Sequence, residues 1–92
     1  MTPKLTKAEH VRDYTIRLQF ADGVVGDVDL RSELWGEVFE PLMDVEQFRR
    51  FRLDEEINTI VWPSGADLAP EFLYEKAAQT HVATKAGRAR KG

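Results

Sequence analysis

The residues best suited to chemistry in this 92-residue chain are carboxylates. Asp27 and Asp29 stand two positions apart, and further along Asp67 precedes Glu71 by one helical turn. Two carboxylates held a few ångströms apart can take different pKa values, which is the basis of general acid and base catalysis. A structural role also explains them, because Asp27 and Asp29 fall on the expected solvent face of a strand and Asp67 can cap a helix. We expect no catalytic residues and keep a small enzyme using Asp67 and Glu71 as the minor alternative.

His10 and His81 are the other candidates for proton transfer or metal binding. One falls on an expected edge strand and the other in an expected tail, so we interpret both as solvated side chains. The chain has no cysteine, which excludes disulfides and thiolate zinc sites. Its glycines stand singly at turns, unlike those of a phosphate-binding loop. The sequence therefore predicts neither a metal site nor a cofactor.

Charge divides the chain into two parts. Residues 1–78 carry 9 basic and 16 acidic side chains, a balance of −7, and we predict that they form a single domain. Residues 79–92 carry four basic side chains and no acid, and we predict a disordered tail. The acidic body disfavours nucleic acid as a ligand of the domain, whereas Arg88 and Arg90 in the tail are candidate contacts for nucleic acid or an acidic partner. A purely solubilising role of the tail stays open.

The clearest secondary-structure signal is the alternation of apolar and polar residues between Tyr14 and Phe20. A period of two predicts a strand with one buried face and one solvated face. Asp22-Gly23 follows as a hairpin turn, and the alternation resumes as far as Leu30. Gly26 falls on the buried face of this return strand, where it indicates a bulge or the close approach of another segment.

Weaker patterns fill the rest of the chain. Residues 8–13 predict an edge strand, residues 31–35 one helical turn, and residues 44–51 a helix of about two turns. Residues 51–62 predict a second hairpin. Together the elements predict an α+β fold: an antiparallel sheet of four to five strands from two hairpins, with one or two short helices packed on one face.

The segment from Trp62 to Tyr74 organises the rest of the chain. Its pattern predicts the end of a buried strand, a turn, and the start of the covering helix. Asp67 is expected to cap this helix, and Pro70 fits the first turn because a proline there loses no intrahelical hydrogen bond. The residues of this structural motif are Trp62, Pro63, Gly65, Asp67, Pro70, Leu73 and Tyr74.

The two tryptophans lead to different expectations. Trp62 ends a buried strand, so we assign it to the core. Trp35 follows a helical turn and precedes Gly36, and a domain of this size has little material with which to cover a second indole. Because Trp and Tyr often anchor protein interfaces, we name Trp35 as a candidate partner-binding residue and leave a core position open.

The Trp62–Tyr74 segment, together with Phe20-Ala21-Asp22-Gly23 and Val38-Phe39-Glu40-Pro41-Leu42, resembles the bacterial family known as domain of unknown function 2442. The resemblance covers about residues 8–76, and Ser64 stands where that family often has Asn. It implies a small α+β domain without an assigned activity, and it supplies no catalytic residues. Many members lie beside a gene of another family, domain of unknown function 4160, in an arrangement resembling a toxin and antitoxin pair.

These observations predict a cytoplasmic protein-interaction module, with the antitoxin-like half of such a pair as its specific role. A basic protein partner would contact Trp35 or the open sheet edge near residues 9–13, and self-association through that edge stays open. A nucleic-acid accessory protein acting through the tail is the alternative. The sequence shows no secretory signal and no run of roughly 20 apolar residues, so no membrane span is expected.

Overall fold

The computed structural model describes residues 2–81. Within that range the chain forms five strands, two α-helices and two 3-10 helices. In chain order they are β1 (Leu5–Arg12), β2 (Thr15–Phe20), β3 (Val25–Asp29), the 3-10 helices Arg31–Glu33 and Glu40–Met43, α1 (Val45–Phe48), β4 (Arg52–Asp54), β5 (Thr59–Val61) and α2 (Pro70–Thr80).

The first three strands form an antiparallel sheet in the order β1-β2-β3. Leu18 on β2 pairs with Gly26, and its neighbours on the same face are buried, as the alternation predicts. Gly23 in the β2–β3 turn has a φ of +96°, the left-handed conformation that makes glycine the suitable residue there. Strand β1 is the predicted edge strand, and its pairing with β2 is interrupted by two register shifts.

Strands β4 and β5 form a separate two-stranded antiparallel sheet. The predicted α+β class and the approximate number of strands are confirmed, but the strands divide between two sheets. Asn58 in the β4–β5 turn connects the second sheet to the start of the first: its side chain accepts from the Leu5 backbone N–H (2.7 Å) and donates to the Pro3 carbonyl (3.1 Å). A side chain, rather than a backbone ladder, therefore joins the second hairpin to β1.

Helix α2 covers β3 and part of β2. It approaches so closely that a Cβ atom at position 26 would lie 2.3 Å from the Ala77 carbonyl oxygen. The register of β2 with β3 is continuous through Gly26. Of the two readings of this glycine, close approach of another segment is confirmed and a bulge is wrong.

The core lies between the sheets and α2 and is built around Trp62, which is 1% exposed. The rings of Phe39, Phe48 and Phe51 lie 5.7 to 6.4 Å from the Trp62 ring, and Phe48 also accepts a hydrogen bond from the indole through its carbonyl (2.6 Å). The core assignment of Trp62 is confirmed. Its other large members are Leu5, Ile16, Leu18, Phe20, Val28, Leu30, Ile60 and Leu73.

The structure corrects several local predictions. Asp67 does not cap α2: the residue before the helix is Ala69, which makes no side-chain capping bond, while Asp67 forms an isolated bridge with Val61. Pro70 does occupy the first turn, as predicted. Helix α1 has one turn instead of two, although Asp44 caps it as expected by accepting from the Glu46 N–H (3.0 Å).

The predicted boundary of the tail is also displaced. Helix α2 continues through Gln79 to Thr80, and His81 contacts β3. Both residues before His81 were assigned to a disordered tail, but they complete the last turn of the helix. Residues 82–92, with Arg88 and Arg90, lie outside the described range, so their predicted roles stay predictions.

Candidate protein-binding surface

Trp35 is held on a short loop whose two ends are fixed. Leu34 before it is buried, and Phe39 after it packs edge-on against Trp62, with ring centroids 6.4 Å apart. Gly36 has a φ of +88°, and its carbonyl accepts from the Phe39 N–H (3.2 Å) and the Glu40 N–H (2.8 Å). The loop is therefore hydrogen-bonded and anchored in the core, yet the Trp35 side chain points out of it and is 73% exposed.

A shallow apolar depression lies beside this indole. Its volume is about 320 Å³, and its walls are Glu33, Trp35, Val38, Phe39 and Leu68. Val38 is 57% exposed, so two large apolar side chains stand in water side by side. We call these five residues, with Glu37 of the same loop and Glu40 at the start of the following 3-10 helix, the Trp35 surface. Contiguous exposed apolar side chains with a polar rim are typical of protein interaction sites.

The carboxylates singled out in the sequence are not brought together into a site. Asp27 faces Arg17 across the solvent face of β2 and β3, with its Oδ1 2.7 Å from the arginine Nε. This hydrogen-bonded ion pair lowers the pKa of Asp27 and raises that of Arg17. Asp29 accepts from the Arg31 backbone N–H (3.0 Å), which is a structural role.

Asp67 and Glu71 are both exposed, one in the bridge to Val61 and the other in the first turn of α2. Within residues 2–81, neither carboxylate caps a helix or forms an ion pair, so no such contact positions it for proton transfer. The expectation that they are not catalytic stays a prediction.

The two histidines are less exposed than predicted, and each makes a contact with the backbone. His10 is half-buried, with Nε2 2.9 Å from the Asp13 carbonyl oxygen and its ring 6.2 Å from that of Phe48. His81 is also half-buried, and its Nδ1 accepts from the Val25 N–H (3.0 Å). The placement of His81 in a solvated tail is wrong, because it follows α2 directly and contacts β3, whereas His10 keeps part of its surface in solvent. Over residues 2–81, His, Asp and Glu form no group of three that could hold a metal ion.

One polar contact was not foreseen from the sequence. The Tyr74 hydroxyl on α2 donates to the Asp22 carboxylate in the β2–β3 turn (2.5 Å), which also accepts from the Val24 N–H (3.1 Å). The hydrogen bond from Tyr74 lowers the pKa of Asp22 and raises the pKa of Tyr74 itself. The Asp22-Gly23 pair predicted only the turn. No local pattern indicated that Asp22 would accept a hydrogen bond from Tyr74, which is 52 positions away.

No helix in the described part of the chain has the length and apolar content needed to cross a membrane.

The fold and this surface define a small α+β domain that presents an aromatic, acidic loop to solvent. Residues 5–79 match the sequence profile of the family described as protein of unknown function (DUF2442), and the chain belongs to that family. This confirms the resemblance carried by the Trp62–Tyr74 segment, over a slightly longer range than expected. No curated protein and no solved structure matches the chain.

Proposed function

We propose that this protein is a protein-interaction module whose contact is the Trp35 surface. The observation that carries the proposal is the 73% exposure of Trp35 on a loop whose ends are fixed in the core. Indole side chains are frequent energetic centres of interfaces because they bury a large apolar area with few rotatable bonds. A loop already held in one conformation also loses little entropy on binding.

The Trp35 surface is a better contact than the open sheet edge, the other candidate. Strand β1 has two irregularities in its pairing, and its exposed side chains include Lys7 and Glu9. Bulges and charges on an edge strand oppose the addition of another strand. Self-association through β1 is therefore disfavoured on physical grounds.

The specific role we propose is the antitoxin-like half of a two-gene pair, acting in the cytoplasm on a member of the domain of unknown function 4160 family. The acidic balance of residues 1–78 supports a basic partner. The resemblance described above supports the choice of family for the partner.

Co-expression with a tagged protein of that partner family, taken from the adjacent gene, tests the proposal. We expect one complex on size-exclusion chromatography and its loss with Trp35→Ala. Ile57→Ala is the matched control, since Ile57 is also an exposed large apolar residue but lies in the β4–β5 turn. Separate elution of the wild-type proteins would remove the two-gene role, and equal loss with both variants would remove the Trp35 surface as the contact.

The alternative of a nucleic-acid accessory protein depends on Arg88 and Arg90. It predicts binding to nucleic acid that falls steeply with added salt and disappears when residues 82–92 are deleted. Binding that survives the deletion would exclude the tail as the contact.

A further inference from the structure

The segment that carries Trp35 is rich in acidic residues. Residues 32–48 contain five carboxylates, at positions 33, 37, 40, 44 and 46, and no Lys or Arg. Three of the five are engaged locally: Asp44 caps α1, Glu46 lies 3.6 Å from Arg49, and Glu33 accepts a long hydrogen bond from the Ser32 hydroxyl (3.4 Å). Glu37 and Glu40 are exposed and form no ion pair with any residue in the range 2–81. Glu37 and Glu40, two and five positions after Trp35, thus have no cationic partner in the described part of the chain and can meet positive charge from another molecule.

The apolar part of the surface is small. A depression of about 320 Å³ has room for one or two side chains of a partner, and Glu33 forms part of its wall beside Trp35 and Val38. A segment that fills it must place an apolar side chain between the indole and Leu68 while passing close to carboxylates. Such a segment is favoured if its neighbouring residues are cationic, because opposite charges at the rim of an interface accelerate association and reject wrong partners.

Two parts of the protein itself are poor candidates to bind the Trp35 surface. A second copy of the Trp35 surface would bring like charges together, which opposes pairing of two identical loops. The chain's own basic residues 85–91 include no apolar side chain larger than alanine, so they offer nothing to fill the depression. Charge and shape together favour a different chain as the partner.

We infer that the Trp35 surface recognises a protein segment in which Lys or Arg residues flank a large apolar side chain. This rests on the proposed function and adds to it the chemistry of the partner. The apolar side chain occupies the depression beside Trp35, and the flanking cations lie over Glu33, Glu37 and Glu40. The indole supplies most of the affinity, and the carboxylates set which segments bind.

A random library of 16-residue peptides displayed on phage tests this without knowledge of the natural partner. Selection uses the full wild-type chain, with counter-selection on Trp35→Ala, whose folding is checked by circular dichroism. We expect enriched peptides to carry Lys or Arg within about three residues of Leu, Ile, Phe or Trp. For a synthesised peptide, Trp35→Ala should weaken binding about 30-fold or more, the loss typical of a central interface residue.

Charge is tested on the same peptide with Glu37→Lys/Glu40→Lys, which should weaken binding at least about tenfold. Glu55→Lys/Glu56→Lys is the control, because it makes the same charge change in the β4–β5 turn. Raising the salt from about 0.05 M to about 0.5 M should weaken wild-type binding but not that of the Lys variant, because salt there screens a repulsion between the new lysines and the cationic peptide.

The outcomes separate this inference from the proposed function. Enrichment of neutral or acidic apolar peptides that still require Trp35 overturns the charge inference and leaves the interaction module intact. Equal loss of binding in the two double-Lys variants would also overturn the charge inference. The net charge of the protein, and not the position of its carboxylates, would then determine binding. Peptides that bind Trp35→Ala as tightly, or no enrichment at all, also overturn it, and the interaction module then depends on the co-expression result.

Discussion

The two tryptophans illustrate how position decides the role of a side chain. Trp62 is surrounded by three phenylalanine rings and donates its N–H to the Phe48 carbonyl (2.6 Å). Trp35 has the same chemistry but stands in water. The sequence predicted the first because Trp62 ends an apolar strand, and it left the second open because no local pattern reveals what covers a loop.

Substitution of each tryptophan by phenylalanine should therefore give unequal losses of stability. Trp62→Phe removes a buried hydrogen bond, leaves the Phe48 carbonyl without a partner and opens a small cavity, so the free energy of unfolding should fall by about 2–4 kcal/mol. Trp35→Phe should change it by less than about 0.5 kcal/mol, as for most surface substitutions. Urea denaturation followed by circular dichroism measures both. Equal losses would contradict the assignment of Trp62 as the centre of the core.

The hydrogen bond between Tyr74 and Asp22 makes stability depend on pH. Because the bond favours the charged carboxylate, the pKa of Asp22 is lower in the folded state than in the unfolded chain. Its contribution is present above the unfolded value of about 4 and is lost as the pH falls through the lower folded value.

Tyr74→Phe should raise the pKa of Asp22 toward its ordinary value, because the largest cause of the depression is removed. The carboxyl signals of Asp22 and Asp27 can be followed in one NMR titration. Asp27 is the internal control, since its lowered pKa comes from Arg17 and should not change. An unchanged Asp22 titration in Tyr74→Phe would show that the bond is absent in solution.

At the scale of elements, helix α2 was predicted correctly in its location, but not in how it begins. Its buried residues are Leu73, which belongs to the predicted structural motif, and Ala77. The error concerned Asp67, which lies three positions before Pro70 and therefore too early in the chain to be the N-cap residue. The chain stays extended through Ala69, with a ψ of 136°, so the helix begins at Pro70 without a side chain that accepts from its first N–H groups.

Ala69→Ser should therefore stabilise the protein, by about 0.5–1 kcal/mol, because serine supplies the missing acceptor at the helix N-cap. Asp67→Asn is the matched control and should have an effect within about 0.5 kcal/mol, since Asp67 is exposed and caps nothing. Thermal and urea unfolding measure both. A larger loss from Asp67→Asn than the gain from Ala69→Ser would restore Asp67 as a structural anchor.

For the whole molecule, the unpredicted feature is the division of the strands between two sheets. The alternation of apolar and polar residues, together with the turn residues, defines strands locally. These patterns predicted all three strands of the first sheet and both strands of the second. Which strands pair across the molecule depends on contacts such as those of Asn58 with Pro3 and Leu5, more than 50 positions away. His81 was missed for the same reason, since its contact is with Val25.

Loss of the Asn58 side chain should loosen the connection between the sheets. Asn58 has a φ of +58°, so Asn58→Gly keeps the backbone conformation while removing both hydrogen bonds. We expect a loss of about 1–2 kcal/mol, the cost of leaving part-buried backbone groups unpaired, and faster amide hydrogen exchange in β1. Asn58→Asp keeps the acceptor for the Leu5 N–H but sets a carboxylate oxygen against the Pro3 carbonyl oxygen, so it should also destabilise the protein. Unchanged exchange in β1 with Asn58→Gly would show that the core alone holds the sheets together.

The contact at Gly26 also has a consequence for the outer surface of the protein. Because Gly26 has no side chain, the last turn of α2 packs directly against it through Ala77 and Thr80. This contact fixes the rotation of the helix about its own axis. A rotation by one residue would drive a side chain into the strand. The contact at Gly26 thereby fixes which residues of α2 face solvent, among them Glu71, Glu75 and Gln79.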